Sequence, residues 1–167
     1  MHLKVTDKHV GKNIFVSIQA RRNYLDQSKE LAFMVKEAMP VFRELLDLPK
    51  NIYIRIGTKR GSYKGCYNNS EKVLFLNVCR FEYDQAMKTL AHELVHAEQY
   101  KQGRLSMSKF IPKKGYINFW NGEEVKNKGK TYNSYRKQPW EVEAFNRQTS
   151  LAKKVSEILE KNNKSNS

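Results

Sequence analysis

Cysteine, histidine, acidic residues and long apolar runs are all scarce in this chain, and each shortage excludes something. Only Cys66 and Cys79 occur in 167 residues. Their spacing does not demand a bridge, and a chain of this length can build a core without disulfide staples. So few cysteines lead us to expect a reducing cytoplasm as the working compartment. No apolar run approaches the ~20 residues of a membrane span. The opening MHLKVTDKHVGKN has no uninterrupted apolar stretch, so no signal peptide is expected. There are four histidines, His2, His9, His92 and His96, and none follows His96. Any metal site using His92 and His96 cannot complete itself with a downstream histidine.

Acid is the other shortage. Thirty-one Lys and Arg stand against 17 Asp and Glu, a net charge of +14. That excess attracts nucleic acid, anionic surfaces or acidic proteins. It is concentrated: residues 101–137 hold ten Lys/Arg and two acids, a net +8. These cations are interleaved with Tyr116, Phe119, Trp120, Tyr132 and Tyr135, a pattern of single-strand binders. A DNA or RNA contact through residues 101–137 is therefore one expectation.

The rest reads as one α+β domain over residues 1–160, with a polar tail at 161–167 expected to fray. NIFVSI at 13–18 suits a short strand. From Tyr24 to about Leu46, Leu31, Val35, Ala38 and Phe42 mark a helix with one core face, which Pro40 should bend or interrupt. NIYIRI alternates as a half-buried strand, and VLFLNV at 73–78 reads as a strand covered on both faces. A helix follows from about Asp84, its expected N-cap, to Tyr100, with Met87, Leu90, Ala91, Leu94 and Ala97 as its buried stripe. Residues 104–138 read as irregular, with a possible hairpin turn at Asn121-Gly122. The last helix starts near Pro139, and Val142, Phe145, Thr149, Ala152, Val155 and Leu159 are its expected inward face.

The chemistry lies in TLAHELVHAEQY, residues 89–100. His92 and His96 are four apart, so on a helix they share a face and can reach one metal at about 2.0–2.1 Å. Glu93 lies about 100° round the helix, placed to touch a water beside the metal rather than the metal. Catalytic zinc usually takes three protein ligands. The third must here be an acid or a cysteine. The acids available after the motif are Glu98, Glu123, Glu124, Glu141, Glu143, Glu157 and Glu160. Glu98 points off the ligand face. PWEVEAF is the attractive place, because it puts two acids in the first turn of a helix.

HELVH followed some 45 residues later by a helix opening with Glu resembles the gluzincin class of zinc metallopeptidases. In that class the second helix reads E-x-x-A/S-D. Glu141-Val142-Glu143-Ala144-Phe145 places Glu141 at the ligand position and Ala144 at the small residue. Phe145 stands where the family has the Asp that supports the first histidine, which leaves Glu143 as an alternative ligand. The order of elements and the basicity are also similar to the small SprT-like domains, whose usual third histidine this chain lacks. HExxH proteins with WNG…PWE, here Trp120-Asn121-Gly122 and Pro139-Trp140-Glu141, are familiar from phage and bacteria, which would make the compartment a bacterial host cytoplasm.

The resemblance implies a minimal zincin-like fold, with a small mixed sheet packed against the HExxH helix and flanking helices. It implies Zn2+ held by His92, His96 and Glu141. It implies hydrolysis of a protein or peptide, acidic or nucleic-acid-associated, with Glu93 as general base. Tyr132, Tyr135 and Arg136 become candidate stabilisers of the transition state. The rival reading is a basic nucleic-acid-binding or adaptor protein on a catalytically silent zincin fold. No membrane partner is expected.

Overall fold

The computed structural model describes residues 2–9, 13–59, 64–80, 82–126 and 131–165. The chain runs β1 (His2–His9), β2 (Ile14–Arg21), α1 (Leu25–Leu45), β3 (Ile52–Gly57), β4 (Gly65–Asn68), β5 (Val73–Asn77) and α2 (Tyr83–Lys101). It then runs β6 (Leu105–Met107), β7 (Asn118–Trp120), β8 (Glu123–Val125), α3 (Tyr132–Arg136) and α4 (Pro139–Ser165). The α+β expectation holds, with a small mixed sheet packed against helices.

Five strands form the main sheet in the order β1-β2-β3-β5-β4. The three central strands are parallel, and the two edge strands are antiparallel to their neighbours. The link from β2 to β3 is α1, the helical crossover that two parallel neighbours require. Ile14, Val16 and Ile18 of β2, the three isoleucines of β3, and Leu74 and Leu76 of β5 all turn to one side. There they meet Leu31, Val35, Ala38 and Phe42 of α1 and Met87, Leu90 and Leu94 of α2 in one continuous core. Ala152 and Val155 of α4 close it. Among the described residues, no helix is long and apolar enough to cross a membrane.

Several expectations need correction. The first strand comes earlier than NIFVSI, since His2–His9 form β1, paired with β2. Pro40 lies inside an unbroken α1. It sits on the water-facing side, where the carbonyl it leaves unpaired can be hydrated. Strand β5 is fully covered on one face and only partly on the other, since Leu74 and Leu76 are buried while Val73 and Phe75 are half-buried. Helix α2 begins at Tyr83 with Glu82 as N-cap and no side-chain cap. Asp84 lies instead inside the first turn, where its charge still favours the helix dipole.

The segment from 104 to 138 is more regular than its composition suggests, because it contains the antiparallel sheet β6-β7-β8. Asn121 and Gly122 join β7 to β8 with φ of 51° and 84°, the doubly positive turn that an Asn-Gly pair favours. On α4 the expected inward face holds at Ala152, Val155 and Leu159 but not in the first turns. Trp140, Glu141, Ala144, Ala152 and Val155 face inward, while Val142 is 43% exposed and Thr149 is exposed. The helix also continues through 161–165, part of the tail expected to fray.

Candidate metal centre

Two helices build the centre. On α2, His92 and His96 stack one turn apart on the side facing α4. On α4, Glu141 stands in the first turn and is 1% exposed. Pro139 opens that turn with no backbone N–H to satisfy, so the carboxylate starts from rigid backbone. His92, His96 and Glu141 are all buried, and they form a group that can hold a metal ion.

The distances carry the argument. The two Nε2 atoms are 3.1 Å apart. His92 Nε2 is 3.2 Å from one Glu141 oxygen, and His96 Nε2 is 3.2 Å from the other. Ligands about 2.05 Å from a tetrahedral centre lie about 3.3 Å from each other, so the three groups are already spaced as edges of such a shell.

The far side of each ring fixes its tautomer. Gln99 Nε2 donates to the Trp140 carbonyl at 3.1 Å, which leaves Gln99 Oε1 to accept from His96 Nδ1–H at 2.9 Å. Gln148 Oε1 accepts from His92 Nδ1–H at 3.1 Å. With Nδ1–H engaged outward, each ring turns Nε2 inward, where it donates to Glu141 when protonated and offers a lone pair to a metal ion when not. Three lone-pair donors at such separations repel one another unless a cation or a proton lies among them.

The electrostatics agree. Burial by itself would raise the Glu141 carboxyl. Hydrogen bonds from His92 and His96, the His96 charge and a hydrogen bond from Tyr135 outweigh it and hold the group down at about 2. Burial would lower His96, but Glu141, Glu93 and Gln99 together push it up. Glu93 is also buried. Burial raises its carboxyl, opposed by the charges of His96 and His92, while Glu141 raises it further and the Tyr67 backbone N–H lowers it.

That last contact links the helix to edge strand β4. A Cβ on Gly65 would lie 2.8 Å from Thr89 Cγ2, 3.0 Å from the Phe75 carbonyl oxygen and 3.4 Å from Glu93 Cγ. Glycine is what lets β4 approach α2 this closely. Next to it, the Tyr67 ring lies 6.2 Å from that of Tyr100, one turn beyond His96. The Tyr67 hydroxyl is buried with no hydrogen-bond partner. Burial, followed by Tyr100, pushes it up to about 12.

The other candidate acids are elsewhere. Glu143 binds Arg104 at 3.0 Å and Arg147 at 2.7 Å. Glu98 binds Arg147 and accepts from the Asp47 backbone N–H. Glu123, Glu124, Glu157 and Glu160 are exposed. Of the three candidate stabilisers, Tyr135 touches the centre through Glu141. Arg136 lies 4.3 Å over the Phe145 ring, and that ring packs 4.6 Å from His92. Tyr132 is largely exposed and meets only the Arg136 guanidinium among its ring contacts. In the basic segment, Lys101 pairs with Asp47 and Arg104 with Glu143. Lys109, Lys113, Lys114 and Lys126 are exposed, and Lys128 and Lys130 lie outside the described residues.

Sequence reasoning missed Gln99, Gln148, Gly65 and Tyr67. The two glutamines had a readable signal. Gln99 is three residues past His96, and Gln148 is seven past Glu141, which keeps each on the ligand face of its helix. Neither family models nor curated protein sequences give a match to this chain.

Proposed function

We propose that this protein is a zinc-dependent metallopeptidase of gluzincin type. The observation that carries the reading is the buried His92–His96–Glu141 group, with both imidazoles oriented through Nδ1 and Glu93 one position along from the first ligand. A single carboxylate with two imidazoles fits zinc better than calcium or magnesium, which prefer all-oxygen shells.

When bound there, zinc acidifies water and polarises a carbonyl. The residues supply the rest. Glu93 accepts a proton from the attacking water and delivers it to the departing amine. Its raised pKa suits that double task, since a base that is too weak cannot take the proton and one too strong cannot return it. Tyr135, and the buried Tyr67 hydroxyl on the other side, are the donors available to a developing oxyanion. Strand β4 is an edge strand beside the centre, so an extended peptide can add to it by main-chain hydrogen bonds.

The test combines metal content with hydrolysis. Protein purified without chelators should carry one zinc per chain and cleave an unfolded protein such as casein. Glu93→Gln should keep the metal and the fold while lowering turnover by about 10²–10⁴-fold. Absence of any transition metal, or undiminished cleavage by Glu93→Gln, would sink the proposal.

A further inference from the structure

The main sheet has a second face, and it is not built like a solvated one. Along β2, β3 and β5 every second side chain turns away from the helices. Register aligns these residues across strands: Phe15 with Tyr53, and Arg55 with Phe75, which in turn pairs with Cys66. Phe15 and Tyr53 stack at 4.8 Å with rings 14° from parallel. Tyr53 is nonetheless 40% exposed. Helices α1 and α2 pack on the opposite side, against the isoleucines and leucines of the core.

In the strands whose side chains are described, the charge has one sign. Strands β2 to β5 contain Arg21 and Arg55 and no Asp or Glu. Arg55 forms no salt bridge among the described residues, and it borders a cavity of about 330 Å³ walled also by Gln19, Thr58, Lys59 and Phe75. The Lys59 backbone is pinned at both ends of its peptide by buried Asn77, which accepts from its N–H at 3.1 Å and donates to its carbonyl at 2.9 Å. The Thr58 hydroxyl is buried with no hydrogen-bond partner. Gly57 lets the Phe75 ring lie against the strand, since a Cβ there would be 2.8 Å from Phe75 Cε2. Arg55, Lys59, Gln19 and Thr58 thus border a space large enough for a phosphate, with the Phe75 ring alongside.

We propose that this open sheet face is a binding platform for single-stranded nucleic acid, with a phosphate at the Arg55–Lys59–Thr58 cavity and bases stacked on the Phe15, Tyr53 and Phe75 rings. Cations that track phosphates and rings that stack bases are the two parts such a site needs. An acidic peptide would use the cations but has no π-face for the rings. The platform lies on the far side of the sheet from the metal centre, so the proposal stands apart from the metallopeptidase reading. It also differs from a contact through residues 101–137.

Fluorescence anisotropy with labelled oligo-dT and oligo-rU of about 20 nucleotides tests it, in about 50 mM salt, where phosphate contacts are strongest. Tyr53→Ala should weaken binding at least about fivefold, the loss of one base–ring stack. Tyr53→Phe keeps the ring and should stay within about twofold of wild type. Arg55→Glu should weaken binding and lower the slope of log affinity against log salt by about one or more. The triple variant Lys109→Gln, Lys113→Gln, Lys114→Gln should change little. Circular dichroism shows whether each variant folds, and the exposed Tyr53 site makes folding of its Phe variant secure. The proposal is overturned if neither oligonucleotide binds, or if Tyr53→Ala binds as wild type. It is equally overturned if the triple lysine variant abolishes binding, or if heparin competes equally well against wild type and Tyr53→Ala, which is plain polyanion adsorption.

Discussion

Under the proposed zinc reading, replacing Gln148 with leucine should separate the ligands from the groups that aim them. Gln148 is not one of the three residues that could hold the ion. Its Oε1 accepts from His92 Nδ1–H at 3.1 Å, and that bond holds the hydrogen away from Nε2, the atom facing Glu141. Leucine is close in size and accepts nothing. In the variant the His92 ring can turn, or its proton can move to Nε2, and either change removes a lone pair from the centre. Loss of such an orienting partner costs about 10–100-fold in metal affinity, or about 1.4–2.7 kcal/mol. Competition for zinc against a chromophoric chelator measures this directly at neutral pH. The smaller zinc-induced rise in melting temperature supplies a second reading, because ligand stabilisation follows affinity. Gln148→Glu keeps an acceptor and should bind zinc at least as tightly as wild type. If Gln148→Leu stays within about twofold of wild type, or if Gln148→Glu falls as far as Gln148→Leu, the orienting role argued from the tautomers is wrong.

Glu141→Gln should lose zinc more severely than Gln148→Leu, because a neutral amide is a poor ligand; elemental analysis after gel filtration decides it. Gly65→Ala should cost about 1–3 kcal/mol in chemical denaturation, the usual penalty for overpacking, since the added carbon meets Thr89 and the Phe75 backbone at 3.0 Å or less. Unchanged stability would mean that β4 can move off α2 freely. Stability of the zinc-free protein should peak between the ordinary carboxylate and imidazole values of 4.5 and 6.5. Glu141 is depressed to about 2, so its contribution is complete above 4.5 and disappears as pH falls toward 2. His96 is raised, so its contribution is complete below 6.5 and is lost as pH rises through its folded value; raised Glu93 acts in the same direction but from 4.5 upward, which sets the maximum at the lower end of that window. Zinc needs both imidazoles deprotonated, so the melting-temperature gain on adding zinc should grow with pH over this upper range, and thermal scans with and without chelator would show it.

The parts legible in the sequence were those set by one helix or one strand at a time. HELVH placed two imidazoles on one face because helical geometry leaves no other outcome. PWE placed Glu141 in a first turn because proline starts helices. Asn121-Gly122 gave its turn because both residues accept positive φ. What could not be read was set by contacts between elements. The facing stripe of α4 turned on Glu141 and Gln148 meeting α2, which put Ala144 inside and left Val142 in water. Glu143 looked as good a ligand as Glu141 until Arg104 and Arg147, 39 residues before it and 4 after it, were seen to hold its carboxylate. The closeness of β4 to Glu93 depends on Gly65, whose meaning in sequence is no more than a loop residue. The apolar run of β5 suggested cover on both faces, yet Val73 and Phe75 on its second face are only half-buried.

The glutamines also bear on why Phe145 can stand where the gluzincin pattern has aspartate. An aspartate would orient the first histidine and bring a negative charge with it. Gln148, three residues on, orients the same ring with a neutral amide, and Gln99 does so for His96. The carboxylates at the centre are then Glu141 and Glu93, whose two charges balance those of one divalent ion. Any further carboxylate would act on Glu93, which burial and Glu141 already push up. A further negative charge would favour the protonated Glu93 carboxyl still more and so oppose its work as a base. Under the metallopeptidase reading, amide support keeps both rings aimed without adding to that push on Glu93. The cationic Arg136 over Phe145, 4.3 Å from the ring centre, works in the same direction by favouring negative charge nearby. Orientation without charge is thus a physical reason for the departure, and it rests on the only two residues that hold the Nδ1 side of the histidines among those described.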